Sequence, residues 1–388
     1  MVSVIVNYMD HILFAYFLLC VSYIALFSIA SCHHRKQYYG KAPFLKKFIF
    51  LIPAYKEDNV ILGSVSSALK QDYPTSHFGV LVISDRMKEE TNNTLRQAGS
   101  DVLSIHFQES SKSTALKSAM EYLKSRPPYD YAVILDADNI VLPNYLQEIN
   151  KALFQSNSQA LQTHRTAKNL NTPTALLDAA IEEMNNSIFR AGHVNLGFSS
   201  ALIGSGMVFD YPWFANNIIH TDSAGEDKEL EELLLRQHIH ISYAEHIHVW
   251  DEKVQRKEIL RNQRRRWMAS QFLQASRMWK YLPKAIINGN GDYIVKAIQS
   301  FILPRSILIS ILGMILFISL FIPFISSLKW WMLLMLLIIS MYIAIPSFMK
   351  NKNFLKVLRE VPYFIYIMLL NLFHIKGASK KFIHTKHG

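Results

Sequence analysis

The sequence predicts an α/β domain on a mostly parallel sheet, held between membrane helices at the two ends of the chain. Three observations carry that expectation. Apolar residues make up 50 % of the 388 residues, and they concentrate at the ends. Between them, short apolar runs alternate with helical periodicity, the rhythm of strands joined by crossover helices. Several of those runs end on acidic residues, and parallel sheets bind ligands outside the carboxyl ends of their strands.

The first apolar segment, within residues 9–32, carries no charge from Ile12 to Ala30, a length that matches a hydrocarbon core of about 30 Å. A cleaved secretory leader is the competing reading; Asp10 before the run and the lack of a small-residue cleavage site weigh against it. His33, His34, Arg35 and Lys36 follow, which places the chain after residue 32 on the cytoplasmic side.

At the other end, residues 301–325 and 329–349 read as two spans forming a hairpin, reached through an interfacial helix or linker at 278–300. Residues 361–375 are short for a span and lie between basic flanks. They read as a re-entrant or interfacial helix or as a tilted fourth span, with 376–388 as a cytoplasmic tail. The net charge of +11 comes largely from these flanks and from residues 256–266. Basic clusters beside apolar spans meet anionic headgroups, so membrane lipids are expected as partners and nucleic acid is not. Two cysteines, Cys20 and Cys32, exclude a disulfide framework and a cysteine metal site.

Within 44–277 the strands are expected at 47–52, stopping at Pro53, at 78–84, ended by Asp85, at 102–107, and at 131–135, running into Asp136. Helices are expected at 59–70, 91–98 and 113–125.

Asp136 and Asp138 are delivered together by the last of those strands. Carboxylates so placed suit Mg²⁺ or Mn²⁺ with positions left for phosphate oxygens; a turn with an Asx cap is the alternative. Pro53, Tyr55 and Glu57 follow the first strand, and Asp85 suits hydrogen bonds from a base or ribose. Lys112 and nearby hydroxyls stand at a helix start, a favourable place for anions. Gln263, Arg266 and Trp267 combine guanidinium donors suited to phosphate with an indole face for a sugar. His238, His240, His246 and His248 read as packing or surface rather than as a metal cluster, and His384 in the tail is a further candidate for the site.

The ordered set resembles the family 2 membrane glycosyltransferases of GT-A type, which include the cellulose, hyaluronan and poly-N-acetylglucosamine synthases. It covers almost the whole chain from Phe48. The resemblance implies a GT-A, Rossmann-like domain with a nucleotide-sugar donor and an inverting, metal-dependent transfer to a glycan or lipid-linked acceptor. It implies that Pro53, Tyr55, Glu57, Asp85, Lys112, Asp136, Gln263 and Arg266 hold the donor, with Asp138 and Asp136 on the metal. Gly204, Ser205, Gly206 and Trp267 would lie beside the acceptor, and Glu226 and Asp227 would be catalytic, Asp227 as base. Lys117 stands where the family usually has asparagine, residues 86–89 are atypical, and the C-terminal spans are fewer than in the long polymer-translocating synthases. The alternative function is a non-catalytic nucleotide- or glycan-binding membrane component that assists a partner synthase. No span carries an ionisable residue in its middle, which sets a transporter aside.

Overall fold

The computed structural model describes residues 2–33, 39–223, 225–322, 325–350 and 354–373. The basic residues at 34–36 and the tail 376–388, with His384, lie outside the described residues.

Helix α1 (Val2–Ser31) is one continuous element, and from Val4 onward it is long and apolar enough to cross a membrane. The sheet begins with β1 (Phe48–Tyr55), β2 (Phe78–Asp85), β3 (Asp101–Ile105) and β4 (Tyr131–Ile134), connected by α2 (Ile61–Leu69), α3 (Glu89–Gln97) and α4 (Lys112–Leu123). These four strands are parallel in the order β3-β2-β1-β4. Side-chain alternation sends Phe48, Phe50 and Ile52 into one core and Ile49 and Leu51 into the other. Each is at most 1 % exposed, and burying such a side chain contributes about 1.5–3 kcal/mol.

Pro53 does not stop β1 as its sequence suggests; the strand continues to Tyr55. Lys56 N–H donates to the Asp85 carbonyl, while Leu135 N–H donates to the Leu51 carbonyl. Even-numbered residues here therefore face β2 and odd ones face β4. Since β4 ends at Ile134, the missing amide of Pro53 removes no ladder bond.

The second half of the sheet is mixed, not parallel. Its elements are β5 (Ile140–Val141), α5 (Tyr145–Ser156), β6 (Ala160–Ala167), α6 (Pro173–Asn186), α7 (Gly192–Asn195), β7 (Met207–Asp210), α8 (Tyr211–Asn217), α9 (Glu226–Arg236) and β8 (Ile241–Asp251). The full order is β3-β2-β1-β4-β7-β6-β8-β5, and β7 runs antiparallel to both neighbours. The cause is local. Gly206 N–H donates to the Ile134 carbonyl, so β7 enters at the carboxyl end of β4 and can only run back along it.

Helices α10 (Lys257–Ile287), α11 (Gly291–Phe301), α12 (Arg305–Ser319), α13 (Ser327–Ala344) and α14 (Phe354–Phe373) complete the described chain. Helix α13 is a second candidate span, whereas α11 and α12 meet the length requirement only as a pair bent by 57°. The break falls at 302–304 rather than at 300, because Pro304 disfavours helical backbone in the residue before it. Helix α14 starts ahead of residue 361 and is not among the helices fit to span. It packs on α6, α10 and α12, fastened by Lys257–Glu360 at 2.7 Å and by Asn371 Nδ2 donating to the Arg261 carbonyl.

Helix α1 packs along α13 and against α7. Asp10 accepts from Trp330 Nε1 at 2.9 Å and pairs with Lys329. At the α7 crossing, a Cβ on Gly192 would overlap the Phe27 backbone carbonyl oxygen. Gly192→Ala must push the helices apart, an overpacking change of about 1–3 kcal/mol. The detergent-solubilised variant is expected to melt below wild type, whereas Gly313→Ala, with open space around it, is expected to melt with it.

Candidate functional site

The carboxyl ends of β1, β2 and β4 form one rim. Tyr55 and Asp85 are register partners, and the residues that follow, Lys56 and Arg86, both have left-handed backbone with φ of 55° and 56°. That conformation is uncommon outside glycine, and here it turns both chains sharply out of the sheet. Asp85 is 4 % exposed, and its Oδ1 is buried with no hydrogen-bond partner among the described residues. The Glu57 carbonyl accepts the Ile61 N–H that opens α2.

Asp136 and Asp138 lie beyond β4, with β1 between them and Asp85. Two strand spacings put the two acidic points roughly 10 Å apart. The Asp136–Asn139 turn is cross-braced. Asn139 Oδ1 accepts the Asp136 N–H at 2.9 Å and the Ser205 hydroxyl, and Asn139 Nδ2 donates to Asp138 Oδ1 at 3.3 Å. Asp138 Oδ2 accepts the Glu252 N–H at 3.0 Å.

The 204–206 loop is clamped over this turn. Gly206 has φ +63° and no room for a Cβ beside Thr163, and its carbonyl accepts from Thr163 N–H and Oγ1. Ser205 is fully buried with its hydroxyl turned inward to Asn139. What the loop presents to the site is the Gly204 carbonyl, which accepts from the Lys112 ammonium.

Lys112 stands at the start of α4, where the Ser111 hydroxyl accepts the Thr114 N–H at 3.0 Å. Its ammonium also bonds Asp136 and lies 3.9 Å from Glu226 Oε1. Burial opposes its charge, but Asp136, Glu226 and Asp227 outweigh that and raise its pKa. Glu226 and Asp227 occupy the first turn of α9, after Gly225, where the helix dipole favours acids. Asp227 lies 3.8 Å from Lys228 Nζ. Burial lowers the pKa of Arg266, while Glu226, Asp136 and Asp227 act in the opposite direction, so its guanidinium sits in the field of the same three carboxylates.

The basic run on α10 therefore divides. Arg266 joins the site, but Arg264, two residues back and so on the opposite side of the helix, is buried in an ion pair with Asp178. Trp267 lies against the Arg264 guanidinium, 4.5 Å from ring centroid to Cζ. Gln263 Oε1 is buried without a partner among the described residues. The four histidines scatter: His238 has left-handed backbone, His240 is 3.4 Å from Asp292, His246 packs on Tyr39 and His248 on His164. Sequence reasoning passed over Asn139 and the charged cluster behind Asp138. There Arg165 pairs with Glu182 at 2.8 Å, Lys253 with Asp251 at 2.6 Å, and burial pushes Asp251 up to about 6 against the pull of Lys253 and Arg165. The signal was present, since Asp251-Glu252-Lys253 also ends a strand.

Glu226 is pushed up to about 8 from its ordinary 4.5 because burial penalises its charged form; Lys112 pulls the other way. Between those two values the unfolded chain has released a proton that the folded chain keeps. Stability from this group therefore falls as pH rises through that window and levels above it. Glu226→Gln removes the slope. The melting temperature of the variant should gain on wild type from pH 5 to 8, and a constant difference across that range would show that Glu226 is ionised throughout.

The fold is thus a mixed α/β sheet with acidic residues gathered at its carboxyl rim. The sequence model described as glycosyltransferase like family 2 matches residues 46–270, more than half of the chain; the chain belongs to that family. It is similar to the mannosyltransferase PcManGT from Pyrobaculum calidifontis, solved in complex with GDP-Man and Mn²⁺. Identity is 13 % and the TM-score 0.52, over 85 % of this chain and 97 % of that one. It is also similar to S. aureus TarS 1–349 in complex with UDP-GlcNAc, at 12 % identity and TM-score 0.45, over 84 % and 92 % of the two chains. No curated protein matches it significantly.

Proposed function

We propose that this chain is an inverting glycosyltransferase that moves a hexose or N-acetylhexosamine from a nucleotide-sugar, UDP-linked, to a membrane-proximal glycan or lipid-linked acceptor. The carrying observation is the convergence of Lys112, Asp136, Glu226, Asp227 and Arg266 at the carboxyl rim of the sheet. That rim lies beside β1, from which the strand order departs in both directions, the place where such sheets take ligands.

In this reading Tyr55 and Asp85 take the nucleoside, Asp85 offering to a base or ribose donor an Oδ1 that makes no hydrogen bond among the described residues and lies 3.9 Å from Arg86 Nε, with Pro53 and Glu57 shaping the loop around it. Arg266, Lys112 and Gln263 take the diphosphate. Asp136 and Asp138 offer hard oxygen donors. Among the described residues no three acidic, histidine or cysteine side chains are grouped to hold an ion by themselves, so the pair fits an ion completed by substrate oxygens. Bound there, Mg²⁺ or Mn²⁺ would offset charge on the departing diphosphate, and the fold relative PcManGT was solved with Mn²⁺ and GDP-Man. Asp227 takes the proton from the acceptor hydroxyl as it attacks the anomeric carbon. The carbon–oxygen bond to the diphosphate breaks on the opposite face, so one displacement inverts the centre. Glu226, its pKa raised by burial, stands beside Asp227 in the first turn of α9. The Gly204 carbonyl borders the acceptor side.

Helices α1 and α13 and the bent α11–α12 pair supply the membrane attachment, with the catalytic domain cytoplasmic, in polysaccharide or glycolipid synthesis. The test is nucleotide release by the detergent-purified chain from UDP-, GDP- and dTDP-sugars, with Mn²⁺ or Mg²⁺ and with chelator. Chelator-sensitive release from one donor is expected. Donor binding without release, even with native membranes supplied as acceptor, would make the chain a non-catalytic synthase component instead.

A further inference from the structure

The α9 helix that carries Glu226 and Asp227 is fastened to the 202–206 loop by a buried carboxylate one turn further on. Glu231 is 1 % exposed. Its Oε2 accepts the Leu202 N–H at 2.7 Å and the Lys228 ammonium at 3.2 Å, and its Oε1 lies 3.4 Å from Lys296 Nζ on α11. Lys228 in turn donates to the Leu202 carbonyl. Both backbone polar groups of Leu202 are thus held by side chains of α9. Two residues on, the Gly204 carbonyl receives Lys112.

Leu202 is itself fully buried and packs with Leu230 and Leu234 of α9 in one core, so packing already holds this stretch near the helix. Packing fixes distance but leaves a peptide free to rotate. The two hydrogen bonds to Leu202 set the orientation of the chain that leads to Gly204. Burying a carboxylate costs several kcal/mol unless it is paired, and Lys228 and Lys296 supply that pairing: burial opposes the charge on Glu231, yet the two lysines outweigh it and hold its pKa low.

We propose that Glu231 is a positioning residue for the transfer reaction: by holding both backbone groups of Leu202, directly and through Lys228, it sets the Gly204 carbonyl and Lys112 in register with the carboxylates at the head of α9. The proposal rests on the reading of that head as the catalytic centre. Lys296, from α11, balances the charge and ties the same point to the helix that leads into α12.

Glu231→Leu alone strands a buried ammonium and fails to fold if Lys296 has no other outlet. The double variant Glu231→Leu/Lys296→Met removes both charges and keeps apolar volume. If Glu231 only stabilises, removing the pair together lowers the melting temperature, because the Leu202 N–H is left without an acceptor, and leaves kcat unchanged. If it positions, the double variant melts within a few degrees of wild type. Its kcat nonetheless falls at least tenfold, and amide exchange over 200–206 is faster by a similar factor. Glu231→Gln, which keeps an acceptor for Leu202 N–H, recovers part of kcat. Wild-type kcat and wild-type exchange in the double variant overturn the proposal. Exchange is read on resting protein without donor, so it decides the tether even if no sugar is ever transferred; that second failure would count against the proposed function alone.

Discussion

Replacing Asp227 by Asn is expected to abolish sugar transfer while leaving donor binding within about twofold. The substitution keeps the shape and the place of the side chain in the first turn of α9 and removes its negative charge and its capacity to take a proton. Loss of a general base lowers rates by about 10²–10⁴-fold, so turnover by the variant should fall to the assay floor. Titration with a fluorescent nucleotide-sugar and single-turnover transfer, run on the same preparation, separate binding from chemistry. A variant that still turns over at more than a tenth of the wild-type rate would remove Asp227 from the role of base and shift attention to Glu226. The neighbour is a poorer substitute as it stands, since burial raises its pKa.

Asp138→Asn is expected to lower transfer at least a hundredfold and to remove the Mn²⁺ dependence of donor binding. The amide retains an oxygen for the Glu252 N–H that Asp138 accepts at 3.0 Å but sets its NH2 against Asn139 Nδ2, a loss of about 1–3 kcal/mol that the melting temperature of the variant reads separately. Isothermal titration of donor with and without Mn²⁺ reads the effect directly. Equal Mn²⁺ enhancement in variant and wild type would move the ion away from Asp138.

The parallel half of the sheet was legible because its strands are apolar runs closed by a residue of another kind: Asp85 and Asp136 stand where the sequence puts strand ends, whereas β1 runs past Pro53 to Tyr55. The direction of β7 was not. Its four residues, Met207–Asp210, have the same pattern either way up, and their direction depends on where the Gly204–Gly206 loop docks, a long-range fact. The same holds for α10. Arg264, Arg265 and Arg266 are equivalent in composition, and only the position of Asp178 decides which guanidinium turns away from the carboxylates. Ser205 was legible as part of a glycine-flanked loop but not as an inward-facing hydroxyl, because its partner Asn139 lies far away in sequence. Pro53 shows the converse: a breaker is tolerated inside a strand once the neighbouring strand has ended.

The crossing of α1 over α7 also bears on how the site meets the bilayer. Besides the close approach at Gly192, the Tyr23 hydroxyl lies 2.8 Å from His193 Nε2, and Asn195 Nδ2 donates to the Ala30 carbonyl at 3.0 Å. The C-terminal half of α1 is thereby one wall of the globular domain, not a leash to it. Where α1 sits in a lipid bilayer, its tilt and the aim of the rim are a single angular coordinate, and the height at which an acceptor is met is set by helix packing.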